Sequence, residues 1–138
     1  MGDWYEIGIT MGLGLAAGIA FAGVLAGLRF GLATTLLGAL VVGIAAGLLV
    51  NGWLGLSGGV VGAVIGSVSA AAIVRGANRR GATLGGTAFL LIGAAVVVAL
   101  LALIPVVGYI EAVVLPVVAA RRARSGPEKY AGLRSLAK

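Results

Sequence analysis

A single carboxylate, Glu111, stands in a stretch that otherwise holds only hydrocarbon, one phenol and two prolines, LIPVVGYIEAVVLP from Leu103 to Pro116. An acid in apolar surroundings favours its neutral form, so it can exchange a proton, or it can hold a cation where neighbouring oxygens complete the site. The Tyr109 hydroxyl and backbone carbonyls around Pro105 and Gly108 are the groups that could complete it. The competing reading leaves Glu111 about 9 Å from a chain reversal, six residues at 1.5 Å each, with its carboxylate reaching polar headgroups beside Tyr109.

The remaining polar groups are modest. Thr10, Thr34, Thr35, Ser67, Ser69, Thr83 and Thr87 are each able to return a hydroxyl to the carbonyl of the preceding helical turn, which is the expectation for them. Cysteine and histidine are absent, which removes disulfides, thiol nucleophiles, Cys/His metal sites and imidazole acid–base catalysis. No paired acids and no nucleophile–base set remain, so catalysis, a metal and a cofactor are not expected. The glycine-rich GLSGGVVG, residues 55–62, has neither a preceding strand nor a following Lys-Ser/Thr, so the mechanism of a phosphate loop is missing.

The elements that must position these residues follow from hydropathy. Of 138 residues 61% are hydrophobic and only 10% charged, with a mean hydropathy of +1.17, against about 25% charged in an ordinary soluble domain. Ile7 to Leu28, Gly31 to Val74 and Gly81 to Ile110 contain no ionisable acid or base before Tyr109. Runs of about 18 or more such residues read as membrane-crossing helices. The first run is not expected to be a cleaved signal, because Met-Gly-Asp-Trp-Tyr-Glu carries two acids and no base.

Gly31 to Val74 is 44 residues, roughly 66 Å as one helix and about twice a hydrocarbon core, so it must reverse. Asn51-Gly52-Trp53 is the expected place, Asn-Gly being a turn signal and Trp favouring the headgroup level. The chain is therefore expected to be an all-α membrane bundle, with helices near 7–28, 31–50, 54–74 and 83–103 and a short Pro-broken returning helix at 106–120. A reversal at Pro105–Gly108 puts all ten Lys and Arg residues on one side, as the positive-inside rule requires, with Asp3 and Glu6 opposite. It also implies that Ile104–Gly108 is shielded from lipid, and that Pro116 kinks the returning helix. The N-terminus is then outside and the C-terminus cytoplasmic. Abundant Ala, Gly, Val and Arg beside two Lys and two Asn suggest a bacterial inner membrane.

Four-residue glycine spacing recurs at Gly14–Gly18, Gly43–Gly47 and Gly58–Gly62–Gly66, each set on one helix face. Such faces let membrane helices approach closely, either within one chain or, for Gly58–Gly62–Gly66, between copies in an oligomer. The tail, residues 121–138, opens with Arg121, Arg122 and Arg124. Ser125 and Glu128 then stand in a capping-box relation that predicts a short amphipathic helix, bearing Lys129, Arg134 and Lys138 around Tyr130, Leu133 and Leu136. With the net charge of +6 confined to membrane flanks, the expected partners are anionic inner-leaflet lipids and either further copies or another membrane protein, rather than nucleic acid. Two functions fit: a small oligomeric transporter or channel using Glu111, or an accessory subunit that binds through its glycine faces and basic tail.

Overall fold

The computed structural model describes residues 2–26 and 31–124; Arg29 and the tail with Lys129, Arg134 and Lys138 lie outside them. The described residues form four helices, α1 (Asp3–Ala26), α2 (Leu32–Arg79), α3 (Leu84–Leu101) and α4 (Pro105–Arg124), and no strand. Three of these, α1, α2 and α3, are long and apolar enough to cross a membrane. Acids open α1 (Asp3, Glu6) and arginines close α4 (Arg121, Arg122, Arg124), each favourable to the helix dipole.

The 48 residues of α2 are two arms. Asn51 (φ −148°, ψ 35°) and Gly52 (φ 53°, ψ −131°) leave helical geometry, and the positive φ at Gly52 is one that a side chain resists. Beyond this break the arms run antiparallel: a β-carbon on Gly47 would strike Gly55, and one on Gly43 would strike Gly59. Gly52→Ala is expected to lower stability by about 1–2 kcal/mol, read as a reduced thermal midpoint in mild detergent. Nothing lies within 4 Å of the position where that methyl would sit, so strain in the backbone is its only cost.

The link to α3 is a glycine-terminated cap. Ala82 N–H donates to Ala77 O (3.1 Å) and Gly81 N–H to Asn78 O (3.1 Å), with Gly81 at φ 78°. Thr83 then caps α3, its hydroxyl accepting from Gly86 N–H at 3.3 Å. Between α3 and α4 the reversal falls at Ala102–Ile104, earlier than the expected Pro105–Gly108. Leu103 N–H and Ile104 N–H close back on Leu100 and Leu101, and Pro105 is already the first residue of α4. Proline suits that position because its missing N–H would have had no helical partner. The chain itself does not enclose this segment: Ile104 is 54% and Val106 52% exposed, although Gly108 is buried. The returning helix has 20 residues rather than fifteen, and helix continues on both sides of Pro116.

α1 is the hub, with 61% of its apolar span buried against 17% for α3. Its neighbours fix every helix direction. β-carbons on Gly58, Gly62 and Gly66 would meet Ile7 to Met11, then Met11 and Leu15, then Leu15, so the second arm of α2 runs parallel to α1. Gly108 abuts Gly8 and Gly12, while Glu111 approaches Gly12, so α4 is parallel too. Gly23 abuts Ala88, Leu91 and Ile92 whereas Gly12 abuts Ala102, so α3 is antiparallel. Asp3, Glu6, Trp4, Tyr5, Trp53 and Tyr109 therefore share one end of the bundle, and Arg75, Arg79, Arg80, Arg121, Arg122 and Arg124 the other. The core is made of small residues: Ala39, Ala63 and Ala70 are fully enclosed, and Leu15 is the largest apolar side chain that is.

Candidate functional site

Glu111 faces α1 from the second turn of α4. It is 9% exposed, and neither carboxylate oxygen has a hydrogen-bond partner. The crossing is close because both helices present glycine: Gly108, one turn before Glu111, seats against the Gly8 carbonyl, and Gly12 lies beside the carboxylate. A β-carbon on Gly12 would stand 3.2 Å from Glu111 Oε2 and strike Ala102. Alanine at 12 would crowd both the carboxylate and the turn after α3.

No cation is at hand on the facing helices. α2 has no charged residue from Leu32 to Val74 and α3 has none at all, while the charges of α1 are Asp3 and Glu6. The helix register puts Arg75 about 24 Å farther along the bundle axis, and Arg121 on α4 itself about 15 Å away. Glu111 is an acid in an enclosed seam with no basic side chain beside it.

Tyr109 does not join it. Two residues apart on a helix, the side chains diverge by about 200°, and the Tyr109 hydroxyl instead donates to the Trp4 carbonyl at 2.6 Å. That bond ties the start of α4 to the start of α1 across 105 residues. Tyr109→Phe is expected to cost about 1 kcal/mol and to speed hydrogen exchange of the amides in the first turn of α1, with little effect at Glu111. Pro105 contributes as the start of α4 and Gly108 as the surface that admits α1, so the expected four-residue site reduces to Glu111 with Gly108 beneath it.

Most hydroxyls are satisfied locally. Thr10 donates to Ile7 O (3.0 Å), Thr34 and Thr35 to Gly31 O (2.7 and 3.4 Å) and Thr87 to Thr83 O (3.0 Å). Ser67 departs from that expectation: it is fully enclosed with its Oγ unpartnered. Carried two turns further, the register that opposes Gly47 to Gly55 and Gly43 to Gly59 would set Ser67 level with Thr35, whose hydroxyl is already turned to Gly31. Ser69 is buried, and the Asn51 side-chain amide at the α2 reversal lacks a partner.

Gly14, Gly18, Gly43, Gly47, Gly58, Gly62 and Gly66 are all buried against backbone of their own chain. The face Gly58–Gly62–Gly66, expected as a possible contact between copies, is covered by α1 and is not free for one. Sequence reasoning missed Gly8 and Gly12, although their four-residue spacing was the available signal. No known protein family, curated protein or solved structure matches this chain.

Proposed function

We propose that the protein is a small multi-pass membrane transporter or channel for an ion or small solute, in which Glu111 is the ionisable group on the path. The observation that carries this reading is the enclosed, unpartnered carboxylate between α1 and α4. An acid in such a place is costly, and in membrane proteins it commonly marks a substrate or ion route. A transmembrane placement is supported by bare apolar side chains along the bundle flanks, among them Leu49 (88% exposed) and Phe89 (79%). It is supported as well by the sorting of the described Trp and Tyr residues to one end and arginines to the other.

In that placement the N-terminus is outside and the arginine end cytoplasmic, where Arg121, Arg122 and Arg124 meet anionic headgroups, joined by the tail residues Lys129, Arg134 and Lys138. The glycine faces hold the bundle together by close backbone approach. A bacterial cytoplasmic membrane is the setting proposed for it.

Reconstitution of the full chain into liposomes containing anionic lipid tests the reading. Wild type is expected to pass an ion or small solute under an imposed gradient, and Glu111→Gln to pass at least tenfold less. The second reading, an accessory subunit, is favoured by α3, whose Gly85 and Gly93 face open space on the least enclosed of the three membrane-length helices and leave a close-approach surface for another membrane protein. Absence of flux together with a stoichiometric co-purifying membrane protein would replace the first reading by the second.

A further inference from the structure

We infer that the species bound at Glu111 is a proton rather than a metal cation, an inference that rests on the transport reading above. One carboxylate supplies too few oxygens for anything else. A dehydrated hard cation takes about six oxygen ligands, and Glu111 brings two, with no second acid beside it among the described residues. Gly12 lies beside the carboxylate and Ala102 beside Gly12, with Gly8 and Gly108 one turn away. The carbonyls of Gly8, Gly12 and Gly108 belong to helical ladders, the Ala102 carbonyl in the turn after α3 would add one oxygen, and the hydroxyl on α4, that of Tyr109, is committed to the Trp4 carbonyl. No group of three or more acidic, His or Cys side chains comes together among the described residues.

A proton has no such requirement. Hydronium arriving at the seam transfers one proton to a Glu111 oxygen, forming an O–H bond and leaving water, and release is the reverse step. The protonated acid is neutral, which an apolar wall tolerates, whereas the carboxylate is the form that draws water into the seam. The elements packed on α4 set the other charges. α1 brings Asp3, Glu6 and Tyr5 at its mouth, the second arm of α2 brings Arg75 and Arg79 at the far end, α3 brings none, and α4 itself has Tyr109, Arg121, Arg122 and Arg124. Glu111 is about six residues from the acidic end and about ten from the first arginine of its own helix, so exchange takes place from the acidic end.

The test uses the full chain in liposomes loaded with a pH-sensitive dye, with potassium and valinomycin setting the potential, and tracer sodium and rubidium uptake measured in parallel. Internal acidification is expected for wild type, unchanged when external sodium is replaced by choline, at least tenfold lower in Glu111→Gln and partly retained in Glu111→Asp. Infrared difference spectra of the wild-type protein should also show a carboxylic-acid carbonyl band that titrates with pH and is missing from Glu111→Gln. Saturable sodium or rubidium uptake without proton movement would overturn the proton assignment and leave the transport reading intact; absence of all flux would overturn both. Should Glu111→Gln fail to fold, judged by its elution and circular dichroism, Glu111→Asp and the wild-type infrared band decide. A wild-type spectrum without a titrating band, or a folded Glu111→Gln with undiminished proton flux, refutes the assignment.

Discussion

Gly62→Ala is expected to destabilise the bundle by about 3 kcal/mol or more, seen as early aggregation and a large fall in thermal midpoint in mild detergent. The added methyl would land on the Met11 carbonyl oxygen, with Leu15 N next to it, both backbone atoms of the central helix. Backbone cannot rotate away as a side chain does. The second arm of α2 must therefore move off α1, and dispersion contacts weaken along the whole seam, from Gly58 to Gly66. Gly93→Ala is the matched control, since a β-carbon there meets nothing within 4 Å. In an exposed helix interior that change is expected to stabilise by up to about 1 kcal/mol. Equal effects at the two positions would refute the packing assigned to Gly62.

Glu111→Met is expected to do the opposite to stability and remove activity. Burying a polar group without a partner costs about 1–3 kcal/mol on the scale of protein mutations, and methionine supplies an unbranched apolar chain of similar length. The variant should raise the thermal midpoint while ion flux falls to background. A protein that loses stability on this change would mean that Glu111 has a partner in the membrane, and the accessory-subunit reading would gain. The combination of a more stable bundle and a silent one is the signature expected of a carboxylate retained for function.

The sequence was most informative about reversals and least about partners. Asn51-Gly52 was legible because a 44-residue apolar run cannot stay straight across one hydrocarbon core, and because Gly52 supplies the positive φ the break requires. The second reversal was misplaced by a few residues because proline signals a boundary without saying which side of it the helix lies. Pro105 starts α4 rather than interrupting it. Glycine spacing identified faces, since four-residue periodicity is a property of one helix. What a face touches is a property of two, and nothing local to Gly58, Gly62 or Gly66 indicates that its partner lies some 48 residues earlier.

The same limit governed the site. Tyr109 and Glu111 are close in sequence, but helical rotation sends one to Trp4 and the other to Gly12. The burial of Glu111 depends on Gly8 and Gly12, a hundred residues away, so its depth could not be read from its own neighbourhood. Ser67 is comparable: its hydroxyl was expected to satisfy itself, and it is enclosed without a partner.

The hub position of α1 carries a consequence for biosynthesis. Once Arg80 has left the ribosome, α1 and both arms of α2 already possess the surfaces that join them, so a unit of three helical segments can close while α3 and α4 are still emerging. α3 and α4 then dock on a finished wall, and the carboxylate of Glu111 meets its glycine-lined seat only after α1 and α2 have closed. The costliest residue to bury arrives after the surface that receives it has been built.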